Sequence, residues 1–281
     1  MTGKRRARDD NPRSTPSEEA IVGSDTFPPS PAYCAKVSKG IFIMSPTKTI
    51  PRPAPTRAQA PAVAGEVRQV VPDTTWYFYD RLTDAIGDHA QFRIAFDGQD
   101  MEIVMPGFKH ERLKVLLCLF IEYVSAGLKI NCHDFGSTTW KRPELERGIE
   151  ADASYFFDPK KLEAIRAAES VDSDNLADIP NPDLSIEIDI SPSKIDRPGI
   201  YRSLQVTELW RYRDGIISIE QIDAGGDYVA AETSKFLYVR PEEVTRWVVR
   251  EDASDRLAWK ERLAEWVQTE LNNRVVPGAK I

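Results

Sequence analysis

Apolar residues recur along this chain with two periods, and the periods divide it into elements. In TTWYFYDRLTDAIG, Trp76, Tyr79, Leu82 and Ile86 fall at helical spacing; Asp73 or Thr74 can cap the start and Gly87 can end the helix. FRIAFDGQDMEIVM reads as a hairpin, two β-rich runs joined at Asp97-Gly98, and Pro106-Gly107 closes it. HERLKVLLCLFIEYVSAGL is the clearest helix, with a stripe through Leu113, Leu116, Leu117, Phe120, Ile121 and Val124. A short strand is expected from Lys129 to His133, then a loop, FGSTTWKRPELERGIE. DASYFF is a buried-strand candidate, and PKKLEAIRAAES a helix followed by a polar loop ending at Asn181-Pro182.

Strict alternation returns in DLSIEIDI, where Leu184, Ile186, Ile188 and Ile190 interleave with Asp183, Ser185, Glu187 and Asp189. A turn and a short helix around Gly199 to Leu204 lead to ELWRYR and IISIEQI, a second hairpin at Asp214-Gly215. YVAAETSKFLYV reads as a further strand pair. PEEVTRWVV and DRLAWKERLAEWVQTELNN are closing amphipathic helices, and Trp247, Trp259 and Trp266 on their inner faces are expected to pack in the core. There is no internal repeat. Order is expected from about Thr74, within a domain spanning 66–281.

Residues 1–65 break this pattern. They are rich in Pro, Ser, Thr, Arg and Ala, and a segment such as PRPAPTRAQAPAVAG buries too little apolar surface to offset chain entropy. The expectation is a disordered extension with polyproline tendency. A basic arm touching nucleic acid is the functional alternative, and Met44 offers an alternative start of translation.

Composition narrows the class. With 41% hydrophobic and 29% charged residues the chain reads as a globular α/β protein, and its net charge of −7 argues against coating nucleic acid through bulk charge. Cys34, Cys118 and Cys132 lack metal-type spacing and suggest neither a disulfide framework nor an oxidising compartment, so a cytoplasmic location is expected. No apolar run approaches the ~20 residues that span a bilayer, and no secretory signal is apparent.

The chemistry concentrates in the acids. Period-two geometry sets Asp183, Glu187 and Asp189 on one face of their strand, with the isoleucines on the other. Such a face is either solvated or relieved by a cation, because neighbouring carboxylates raise one another's pKa. DASYFF begins with a further acid, Asp152. Two neighbouring strands that each carry a carboxylate suit metal-assisted phosphodiester hydrolysis. Glu111, in the first turn of the long helix, is a further metal candidate or simply favourable at a helix N-terminus. Ser137, Thr138, Thr139, Lys141 and Arg142 could meet a phosphate backbone, or Lys141 and Arg142 could balance Glu144, Glu146 and Glu150.

GSTTWKRPELERGIEADASYFF and PNPDLSIEIDISPSKIDRPGIYRSLQVTELWRY together resemble the Uma-two family of restriction endonucleases. TWYFYDRL, RIAFDGQDMEIVMPGFKHERLK and RPEEVTRWV extend the resemblance over roughly 73–270. It implies an α/β restriction-endonuclease-like core of PD-(D/E)XK type, a mixed central sheet flanked by helices, with magnesium (or manganese) as cofactor and DNA as substrate. Carried over by position, Asp152 matches the first metal-binding aspartate, with Ala151 where the family has proline. Glu187 matches the acid of the second strand, and Asp183 the Pro-Asp that opens it. Asp189 stands at the motif's lysine position, and Arg197, four residues before Tyr201, matches the lysine that relatives supply from the next segment. Lys194 is the nearby substitute.

The resemblance thus implies a magnesium-dependent DNA endonuclease in which Asp152, Glu187 and Asp183 hold the metal and Arg197 or Lys194 steadies the phosphate. A nuclease fold that binds nucleic acid without turnover, and a protein-interaction domain with a solvated acidic face, are the alternatives. Cutting both strands of a duplex favours two-fold related sites, so a homodimer is one expectation.

Overall fold

The computed structural model describes residues 65–87, 91–171 and 176–274, all within one compact unit, Ala58–Ile281. The expectations for residues 1–64 (disorder, a basic arm, a start at Met44) and for Cys34 lie outside the described residues.

Two sheets carry the fold. The first is antiparallel throughout, in the order β1-β3-β2-β6-β5: β1 is Val67–Val71, β2 Arg93–Phe96, β3 Met101–Met105, β5 Thr139–Arg142 and β6 Arg147–Glu150. Helix α1, Trp76–Ile86, packs on it through Tyr79, which stacks on Phe96. The cap is neither Asp73 nor Thr74 but the next residue, Thr75, whose side chain accepts the amide of Phe78. Order begins before Thr74, at β1, which pairs with β3 in the register Val67↔Met105. The stretch 135–150, expected as a loop, contains the hairpin β5–β6.

The second sheet runs β11-β10-β9-β8-β7-β4, with β4 His133–Asp134, β7 Ala153–Phe156, β8 Leu184–Asp189, β9 Glu208–Arg213, β10 Ile216–Ile222 and β11 Tyr228–Ala230. Only β8 and β9 are parallel, joined through α4, Arg197–Ser203. At the β9–β10 turn Asp214 and Gly215 both take positive φ (48° and 83°), as a two-residue hairpin requires. The strand expected at Lys129–His133 is confined to His133–Asp134, because Lys129 takes a left-handed cap at the end of α2, Phe108–Leu128. Of the strand pair expected in 228–239 only β11 forms; Ser234 accepts the amides of Phe236 and Leu237 and turns the chain away.

Helices cover both faces of this mixed sheet. On one, α2 packs Leu116, Phe120 and Val124 against Ile186, Ile188 and Trp210. The closing helices α5 (Pro241–Thr245) and α6 (Arg256–Trp266) join them, with Trp247, Trp259 and Trp266 in that core as expected. On the other, α3 (Pro159–Ser170) and α4 pack Ile165, Ile200 and Tyr201 against Phe156, Trp140 and Leu209. Among the described residues no helix is long and apolar enough to cross a membrane.

Candidate active site

Strand β8 is buried on both faces, so the acidic face is not solvated. Its apolar residues Leu184, Ile186 and Ile188 enter the core under α2, and Glu187 and Asp189 point to the opposite side at 2% and 4% exposure. Charge there must be paired, because an isolated buried carboxylate is costly. It is paired with the chain's own cations.

Asp152 lies just before β7, and its amide bonds the carbonyl of Ile186. Its Oδ2 accepts the amide of Ile188 at 2.7 Å, and its Oδ1 meets His110 Nε2 at 3.1 Å and Arg93 Nε at 3.8 Å. Burial pushes this carboxyl up, but the His110 bond and the charges of His110 and Arg197 outweigh it and hold it below the ordinary value. His110 is raised in return: burial disfavours its cation, and the Asp152 carboxylate more than compensates.

Glu187, one strand over, binds Arg197 Nη2 at 2.6 Å and the hydroxyl of Tyr201. Arg197 and Tyr201 are four residues apart on α4 and so share one helical face. Burial, with the nearby Asp152 and Asp189 carboxylates, pushes Glu187 up to about 8 despite Arg197. Burial raises the Tyr201 phenol well above its ordinary value, so it stays protonated and donates. The guanidinium of Arg197 also reaches Glu102 on β3 (Nη1 to Oε2, 3.3 Å) rather than Asp196, which caps α4 by accepting the amide of Gly199.

Arg197 Nε, Arg93 Nε and His110 Nδ1 are buried without a hydrogen-bond partner, although Arg93 Nε lies 3.8 Å from Asp152 and His110 Nδ1 3.5 Å from Glu111. Ser137 sits beside them, donating to the carbonyl of Asp152 (3.1 Å) and accepting from Lys114 (2.5 Å) and Arg93 (3.1 Å).

Asp152, Glu187 and Arg197 are therefore brought together, and other expected members are not. Asp183 lies four residues from Glu187 on one strand, about 13 Å at strand rise, too far to share an ion with it. Its Oδ2 accepts the amides of Phe157 and Asp158 (2.7 and 2.8 Å) and its Oδ1 pairs with Lys161 (2.6 Å), fixing the start of α3. Lys194 turns its side chain to solvent, and only its backbone amide reaches the site's surroundings, on Glu102 at 2.8 Å. Glu111 stands on the rim, 47% exposed, 3.5 Å from His110 Nδ1 and 3.9 Å from Arg93. Lys141 pairs with Asp80 and Asp84 instead of the acids of its own loop, and Arg142 donates to the carbonyl of Ile179 while Glu144 acts on its charge.

Sequence reasoning missed His110, Arg93 and Glu102. The available signal was an ionisable residue inside an otherwise apolar strand, as in RIAF and MEIVM; His110 offered only its place in a first helical turn.

With this arrangement established, the comparison with known families becomes decisive. A family model for Uma2, described as "Putative restriction endonuclease", matches residues 68–260, more than half of the chain. The chain belongs to the Uma2 family. The matched span of this Uma2 chain begins at Arg68 in β1 and covers both sheets, so the first sheet is part of the family's shared region. No curated protein matches the chain.

Proposed function

We propose that this Uma2 chain is a metal-dependent nuclease that hydrolyses DNA phosphodiester bonds at the Asp152–Glu187 pair. The observation that carries the reading is the buried Glu187 carboxylate held by the Arg197 guanidinium, with the buried Asp152 carboxylate close enough to act on its charge and the Nε nitrogens of Arg197 and Arg93 left without hydrogen-bond partners. A phosphate supplies the acceptors that such donors lack.

Magnesium fits the donor set. It takes hard oxygen ligands, only one or two of them carboxylates, and keeps several waters. Among the described residues no group of three or more His, Cys, Asp or Glu could hold a metal, so the fit is to an ion that relies on water and substrate for its remaining ligands. Asp152 and Glu187 would hold it. When bound, it supplies an activated water and takes up charge on the phosphate. The protein's own part is positional and electrostatic. Ile188 and His110 fix the Asp152 carboxylate, Tyr201 orients that of Glu187, and Arg197 with Arg93 attracts and steadies the phosphate oxygens. Arginine stays charged throughout, so Arg197 orients and does not shuttle a proton.

Incubation of plasmid DNA with the protein and magnesium or manganese, beside Asp152→Ala, tests this: nicking by the wild type alone is expected, and inertness of both with every metal and DNA form sinks it. A second reading, a nuclease fold that binds DNA without cutting, is favoured by the engagement of Arg197 with two acids at once. It predicts salt-sensitive DNA binding that survives Asp152→Ala.

A further inference from the structure

We infer that Glu102 is a positioning residue that fixes where the Arg197 guanidinium sits, so that the first sheet sets the geometry of a site built on the second. The inference rests on the reading of Arg197 as the cation that steadies the phosphate. Glu102 lies on β3, between Val70 of β1 and Ala95 of β2, and is fully buried. Its Oε2 receives Arg68 Nη1 at 2.5 Å, Ser193 Oγ at 3.0 Å and Arg197 Nη1 at 3.3 Å, and its Oε1 receives the amide of Lys194 at 2.8 Å.

Three of these four donors belong to the segment 190–197 that leaves β8 and starts α4. Arg68 holds the near end of that segment, reaching Asp189 Oδ1 at 3.2 Å and Ser191 Oγ at 3.3 Å. Glu66 assists by accepting the amide and hydroxyl of Ser191 at 3.1 and 2.6 Å. Glu102 holds the far end. The two ends of the connection are thus tied to a neighbouring pair of strands through one ion pair, Arg68–Glu102.

A guanidinium has its charge spread over a planar fork, and two carboxylates on two of its nitrogens fix both position and plane. Glu187 alone would leave Arg197 free to swing about a single contact. Glu102 supplies the second, and the orphaned Nε is thereby held in one orientation. Glu102 makes no contact with Asp152 in this arrangement, so it acts through Arg197.

The test is hydrogen exchange at the Arg197 Nε–H, followed by NMR on protein with isotope-labelled arginine, the signal being assigned by its loss in Arg197→Lys. Glu102→Gln removes the charge and is expected to speed this exchange roughly tenfold or more, as local opening becomes easier. Glu208→Gln alters a buried carboxylate that binds Trp210, Ser234, Gln221 and the Lys235 amide instead, and is expected to leave the signal as it is. Glu102→Asp, which keeps the charge but withdraws it by one methylene, gives the same readout if the glutamine variant does not fold. In cleavage assays Glu102→Gln should lower kcat by about a hundredfold with KM unchanged, the mark of a misplaced group rather than a lost binding contact. An Arg197 signal that exchanges at the wild-type rate in a folded Glu102 variant overturns the inference. If the wild type cuts no DNA, the nuclease reading falls, and the exchange measurement still decides whether Glu102 holds Arg197.

Discussion

The backbone amide of Ile188 donates to the carboxylate of Asp152 at 2.7 Å, so the strand that carries the second acid of the site also fixes the first. Glu187 precedes Ile188, and the β7–β8 register sets Ala153 against Ile186. One antiparallel pairing therefore determines the spacing of both carboxylates, and a slip of one residue would turn Glu187 to the other face.

That relationship separates charge from shape at Asp152. Asp152→Asn keeps an oxygen for the Ile188 amide but loses the charge that pairs with His110. Plasmid nicking should fall by roughly a hundredfold or more, the scale of losing one preorganised electrostatic group. Urea unfolding should show the fold retained. Nicking at the wild-type rate would remove Asp152 from the reaction.

Asp183 should behave in the opposite way. Asp183→Ala leaves the amides of Phe157 and Asp158 without their acceptor and Lys161 without its partner. The expected loss is roughly 1–3 kcal/mol for each buried donor left unsatisfied. Cleavage per folded molecule should be unchanged. Chemical unfolding read beside specific activity separates the two effects.

The contrast between these aspartates marks how far the sequence is legible. Alternation in DLSIEIDI correctly sets Glu187 and Asp189 opposite the isoleucines, because side-chain direction along a strand is local. It does not tell whether the acidic face meets water. That depends on α4 and the first sheet, which bring Arg197, Arg68 and Glu102 over it. The long helix α2 and the two-residue turn at Asp214-Gly215 were readable for the same local reason; Asp97-Gly98 does mark a turn, but the register Phe96↔Met101 makes it a four-residue loop rather than a two-residue one. β1, β5 and β6 were not readable: they are four or five residues long, lack a regular apolar alternation, and owe their existence to pairing partners distant in sequence. Arg68 and Glu66 were lost with β1, at the edge of a Pro- and Ala-rich stretch. Glu102 was visible only as a single acid in an apolar strand, with nothing in the local sequence to reveal its partners some ninety residues on.

The buried site also ties stability to pH. Glu187 and His110 both have folded values above their unfolded ones, Glu187 from burial and its acidic neighbours, His110 from Asp152. Each favours the folded state fully below its unfolded pKa, and that contribution is lost as pH rises through the folded pKa. Asp152 is shifted the other way, so its contribution changes only in the acid range, falling away as pH drops through its lowered value. Between pH of about 5 and about 8.5, unfolding free energy should therefore decline as pH rises. Glu187→Gln should flatten the decline. A series of urea melts across that window checks it; a wild-type slope that persists unchanged in the glutamine variant would assign the dependence elsewhere.

Arg197 and a divalent ion would have to share Glu187, and this competition gives a prediction independent of cleavage. The guanidinium lies 2.6 Å from Glu187 Oε2 and neutralises the carboxylate an incoming cation would use. Replacing it with a neutral side chain leaves Glu187 and Glu102 without that partner, and a divalent ion then meets more uncompensated negative charge. Manganese binding, measured by calorimetry, should be at least as tight in Arg197→Gln as in the wild type, although nicking should be lost because no cation steadies the phosphate. Glu187→Gln should weaken or abolish binding outright. Arg197→Lys retains the charge on a single ammonium that cannot present the same planar fork to Glu102 and Glu187 together, so its manganese affinity should fall between the two. Loss of manganese binding in Arg197→Gln, with the fold intact, would mean that the guanidinium supports the ion rather than competing with it.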